Sequence, residues 1–88
     1  MTSDQFRAAL ASAGFTEIAN VTREANGLLD EHAHPFEANA LVTAGELTLR
    51  VDGTERSYRT GEVFHLPAMT PHSERYGPDG VSYLVGRK

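Results

Sequence analysis

The sequence predicts an all-β fold, a small sandwich or closed barrel with one short helix at its N-terminus. Three observations predict it. Beyond residue 14 the chain divides into seven short runs of strand-forming residues, turn-forming pairs separate most of them, and no second helical periodicity appears. At 88 residues there is room for one core only. The expected organisation is a helix over residues 1–14 packing on a barrel that spans 15–88.

The helix comes first. Thr2 or Ser3 can cap it, Asp4 suits its positive end, and Phe6, Ala9, Leu10 and Ala13 recur at helical spacing before Gly14 stops it. Strands are then expected over 18–21, 27–30, 38–43, 47–51, 56–59, 63–66 and 81–85. Asn26-Gly27, Ala44-Gly45, Thr60-Gly61 and the segment 77–80 read as turns. Asp52-Gly53 reads as a tight hairpin, because both positions tolerate positive φ. Leu41, Val42, Leu47, Leu49, Val51, Val63, Phe64, Leu66, Leu84 and Val85 supply the barrel lining. Phe36, Tyr58 and Tyr83 fit the core or a dimer interface, and alternatively the wall of a ligand pocket.

Composition narrows the function. Apolar residues make up 40% of the chain, enough for a folded core. A net charge of -4, with scattered Lys and Arg, argues against nucleic acid, whose phosphates need clustered basic groups. With no cysteine there are no disulfides, thiolate metal sites or cysteine nucleophiles. No apolar run approaches the roughly 20 residues of a membrane helix. The polar N-terminus lacks the pattern of a signal peptide, so a cytoplasmic location is expected. A chain this short gains from pairing with a second copy, and a homodimer is expected.

The chemistry lies in the histidines. His32 and His34 are two residues apart, which on a strand places both rings on one face, where they can share a metal ion. Such a pair also fits a hydrogen-bonded polar face. The wider pattern decides between these readings. One stretch runs His32-Ala-His34-Pro-Phe-Glu37, continuing to Gly45. A second runs Gly61-Glu-Val-Phe-His65-Leu-Pro67-Ala-Met69-Thr-Pro71-His72-Ser-Glu74-Arg-Tyr76, and fifteen residues separate Gly45 from Gly61. Together they resemble the two motifs of the cupin superfamily, His-x-His…Glu…Gly and Gly…Pro-x-Gly…His…Asn, in the same order and at the short spacing of small members. The resemblance covers residues 27–85. It implies a double-stranded β-helix, the jelly-roll barrel of that family, around a divalent transition metal such as zinc, manganese, iron or nickel.

By that resemblance His32, His34 and His72 are metal ligands. Counted back from Gly45, the family's Glu falls on Ala38, and the nearest acid, Glu37, is one residue early. A one-residue shift reverses the face of a strand, so Glu37 joins the ligands only if the Pro35-Phe36 turn or a bulge re-aims it. Glu74, two residues after His72, shares that residue's face and can act as fourth ligand or as a base; the plainer reading pairs it with Arg75 or Arg56. His65 stands at the barrel mouth or enters the pocket as a second proton-transfer group. Met69 replaces the glycine of the second motif and Tyr76 its Asn. The expected function is metal binding, with or without catalysis on a small oxygen-bearing substrate. The alternative is a small-molecule-binding or sensory module.

Overall fold

Two long strands organise the molecule, and every other strand is added to one half of them. The computed structural model describes all 88 residues. Helix α1 spans Ser3–Ser12, and the strands are β1 (Glu17–Arg23), β2 (Leu28–His32), β3 (Ala38–Val51), β4 (Thr54–Arg59), β5 (Val63–Leu66) and β6 (His72–Arg87). β3 and β6 pair antiparallel over most of their length. The first half of β3 takes β5 on its free edge, and the second half takes β4. β6 likewise takes β2 along its first residues and β1 along its last. Two four-stranded layers result, β1-β6-β3-β5 and β2-β6-β3-β4, closing face to face as a jelly-roll barrel.

Six strands stand where seven runs were expected, because the runs 38–43 and 47–51 are one strand, and the strand expected over 81–85 reaches back through the 77–80 segment to His72. The Ala44-Gly45 pair lies within β3, and the segment 77–80 lies within β6. Residues 77–80 form an excursion opposite Glu46, between the Gly45–Val81 and Leu47–Tyr76 pairs. The bend lets one strand serve both layers. The Asp52-Gly53 hairpin is as expected, with φ of 51° and 78°.

The core divides by strand parity. Ala38, Ala40, Val42, Leu47, Leu49, Phe64, Leu66, Val81 and Val85 face the barrel interior. Leu41 and Leu84, expected in that lining, point to the other side of the sheet and pack with Phe6, Leu10 and Phe15 beneath α1. Val63 is 42% exposed, so it is not core either. The helix thus covers a second apolar face, burying Phe6 and Leu10 for about 2 kcal/mol each. Thr2 caps it by accepting from Gln5 N, while the Gln5 side chain accepts from Thr2 N.

Candidate metal centre

The pocket opens between the two layers, and pairing of β2 with β6 builds its polar side. His32, the last residue of β2, stands directly opposite His72, the first of β6. Leu29 stands opposite Glu74, so β2 carries one extra residue between these pairs, a bulge that aims His32 inward. His34 lies just beyond the end of β2 rather than on it. Its carbonyl accepts from Met69 N at 2.7 Å, which ties this segment to the turn before β6, and its ring stacks on Phe36 at 4.7 Å. The three rings meet: His32 lies 4.2 Å from His72 and 4.7 Å from His34, centre to centre. One donor atom from each falls within 4.8 Å of the other two. Bonds of about 2 Å put two donors on one ion no more than about 4 Å apart, so the rings need to close by less than an ångström.

Hydrogen bonding sets the proton positions. His32 Nδ1 lies 2.7 Å from the Asp30 carbonyl oxygen, and His72 Nδ1 lies 2.9 Å from that of Thr70. A carbonyl can only accept, so each Nδ1 carries its proton and donates. In the neutral rings both Nε2 atoms are then bare lone pairs aimed into the pocket. His32 Nε2 is buried with no hydrogen-bond partner. Burial, reinforced by His32 and then His72, lowers the pKa of His34 below its ordinary 6.5 and favours the neutral ring.

Glu74 adds a fourth acceptor. Its side chain is 8% exposed, and its Oε2 lies 3.4 Å from His72 Nε2 and 3.7 Å from His32 Nε2. Oε1 accepts from the Tyr76 hydroxyl at 3.2 Å. The partners expected for a surface role are engaged elsewhere: Arg75 pairs with Glu55, and Arg56 lies over the Tyr58 ring. The imidazole lone pairs and Glu74 Oε2 converge with no donor between them, a gap that suits a cation. The donor set of imidazoles and one carboxylate suits a divalent transition ion.

Glu37 and His65 are not brought to this cluster. Ala38, Phe64 and Leu66 line the pocket, and parity turns their neighbours Glu37 and His65 to the outer face. There they hydrogen-bond each other, His65 Nε2 to Glu37 Oε2 at 2.6 Å. No bulge re-aims Glu37.

The cavity measures about 100 Å³. Its apolar lining includes Phe36, stacked on His34, with Phe64, Leu66, Tyr83 and Val85, and Arg23 and Arg87 also border it. A larger hollow of about 360 Å³ beside Gly45, Arg59 and Gly80 is a shallow surface depression without a histidine. The two arginines were not anticipated from sequence. The signal was parity: Arg87 follows Tyr83 and Val85 at steps of two.

A small antiparallel jelly roll with three histidines and a glutamate converging in its interior defines a class of barrel whose pocket is shaped to suit a single metal ion. The family profile described as "Cupin domain" matches residues 20–79, and the chain belongs to that family. Solved structures agree on the fold. An RmlC-like cupin from Shewanella frigidimarina is 20% identical, with a TM-score of 0.68 over 80% of this chain and 63% of its own. The DMSP lyase DddQ from Ruegeria pomeroyi is 25% identical, with a TM-score of 0.73 over 81% of this chain and 36% of its own. The cupin domain of Schizosaccharomyces pombe Cnp3 is 15% identical, with a TM-score of 0.72 over 80% of this chain and 50% of its own. The chain therefore spans less than two thirds of these proteins. A search of curated proteins found no match. No helix is long and apolar enough to cross a membrane.

Proposed function

We propose that His32, His34 and His72 bind one divalent transition metal, with Glu74 as the fourth protein group, and that the pocket presents this ion to a small oxygen-bearing molecule. The carrying observation is the buried, unpartnered Nε2 of His32, facing His72 and Glu74 while its Nδ1 is spent on a carbonyl. A bound ion would supply Lewis acidity at an oxygen of that molecule. The protein's own part is to fix the imidazole tautomers, exclude bulk water with the Phe64–Leu66 wall, and hold Glu74 beside the centre. There it can ligate or accept a proton, oriented by Tyr76.

Catalysis and plain ligand sensing share this site. Ala38, standing where the family places its carboxylate, favours the second as a serious alternative, since it leaves the carboxylate to come from the other motif. Loss of bound product formation alongside retained ligand binding would separate the two. The protein is further proposed to act in the cytoplasm and as a homodimer. β1 pairs only with β6 and leaves its outer edge open to a second copy, which sedimentation would reveal.

Elemental analysis of untagged, chelator-free protein tests the metal reading, followed by titration with zinc and cobalt(II). Near-stoichiometric metal in the wild type, lost in a folded His72→Ala variant, is the expected result. A wild type that refuses added metal overturns it.

A further inference from the structure

Each layer of the barrel ends in strands with one unpaired edge, and those edges are not alike. β1, β2, β4 and β5 each pair along one side only. β5 is four residues long, β2 is broken by its bulge and carries Asp30 and Glu31, and β4 is charged along its length by Glu55, Arg56 and Arg59. Charge, bulges and shortness are the devices that keep an edge from pairing with another chain. β1 has none of them along its middle. Its seven residues hold an unbroken register against β6, from Glu17 opposite Arg87 to Arg23 opposite Val81, and its only charges stand at its two ends.

Those ends are opposite in sign, and neither is tightly held. Glu17 contacts Arg87 at 3.5 Å with its side chain 70% exposed, a loose surface pair. Arg59, Arg75 and Arg87 each pair with a glutamate, whereas Arg23 pairs with none. Alternation puts Glu17, Ala19, Val21 and Arg23 on one face of the strand. It is the inward face: Ala19 and Val21 pack against the barrel core, and Arg23 borders the histidine pocket. Ala19 and Val21 are nonetheless only half-buried, because nothing lies beyond this edge.

We propose that β1 pairs antiparallel with β1 of a second copy, centred on Asn20, so that Glu17 meets the partner's Arg23 and Arg23 meets the partner's Glu17. The inference rests on the homodimer reading above and fixes its strand register. Centred on Asn20, all seven residues find a partner. Ile18 faces the partner's Thr22 and Ala19 the partner's Val21, which leaves an uncharged middle between two ion pairs. Centring on Ala19 or Val21 instead sets both charges against apolar residues, and a parallel pairing sets like charges side by side. The favoured register joins the two β1-β6-β3-β5 layers into one continuous sheet. Each Glu17 then lies between its own Arg87 and the partner's Arg23. Assembly also brings a carboxylate to Arg23 at the border of the histidine pocket, so the partner supplies a charge there that one chain lacks.

Sedimentation equilibrium of the full chain tests this on wild type, Glu17→Arg, Arg23→Glu and the double variant carrying both changes, each checked for fold by circular dichroism. Wild type should be a dimer. Each single reversal sets like charges together twice, by symmetry, and should weaken self-association at least about tenfold. The double variant restores both pairs in swapped order and should dimerise as the wild type does. So should an equimolar mixture of the two single variants, because in the mixed dimer every charge again faces its opposite. A dimer indifferent to both single reversals overturns the register while leaving the homodimer reading in place. The same holds if the reversals break the dimer and neither the double variant nor the mixture restores it. A monomeric wild type removes both readings.

Discussion

Glu74 Oε2 stands 3.4 Å from His72 Nε2, and in the neutral ring neither atom has a proton to share, because His72 Nδ1 donates to the Thr70 carbonyl. Two acceptors at that distance, one of them in a side chain only 8% exposed, repel each other unless a cation lies near them. That cation is either a metal or a proton on the imidazole. The two cases give opposite predictions for the same substitution.

Replacing Glu74 with Gln should lower metal affinity at least about tenfold, by removing a negative charge from the centre. Chelated protein should be as stable as the wild type or more so, since the amide can donate to an Nε2 that now faces an acceptor. Metal titration and denaturant unfolding with chelator read the two effects. A stability loss without chelator-dependence, at unchanged metal affinity, would identify a His72–Glu74 ion pair instead.

Much of this site was legible from the period-two geometry of strands. His72 and Glu74 share a face as their spacing demands, and Glu37, one residue from Ala38, falls on the opposite one. What the spacing could not reveal was the bulge between Leu29 and His32, because the extra residue is visible only against the partner strand. The 77–80 segment was misread for a related reason. Its Gly-Pro-Asp-Gly composition specifies a bend, and whether a bend ends a strand depends on the pairing either side of it. Arg87 belongs to no motif, and only its parity with Tyr83 and Val85 points it towards the pocket.

Acid should destabilise the metal-free protein through His34. Its folded pKa lies below 6.5, so the unfolded chain binds more protons than the folded one once pH falls into that region. The contribution is complete above 6.5 and is lost as pH falls from there through the folded value. Thermal unfolding of chelated protein across this window should show the decline. In His34→Gln the slope should be shallower; an unchanged slope would assign it to other groups.

Gly45 should tolerate no side chain. Its φ is +74°, and a Cβ there would collide with the carbonyl oxygen of Gly80 and approach Val81 Cα to 3.1 Å. These are backbone atoms of the β6 bend, which cannot swing aside as a side chain does. Gly45→Ala should cost about 3 kcal/mol or more in urea unfolding. A loss under about 1 kcal/mol would mean that the bend readjusts without strain.

Met69 occupies the motif position where the resemblance placed a glycine, and it keeps the conformation a glycine would adopt, with φ of 61°. The turn is therefore preserved at the expense of backbone strain, because its amide must still reach the His34 carbonyl, 2.7 Å away. The side chain offers little in return, being 64% exposed. Met69→Gly should accordingly raise stability by about 1 kcal/mol, the lower end of the usual strain of a non-glycine residue in this region. The gain should appear as a higher urea midpoint at an unchanged slope. A destabilised variant would show instead that the Met69 side chain packs against something in solution, with a second copy of the chain the first partner to look for by sedimentation.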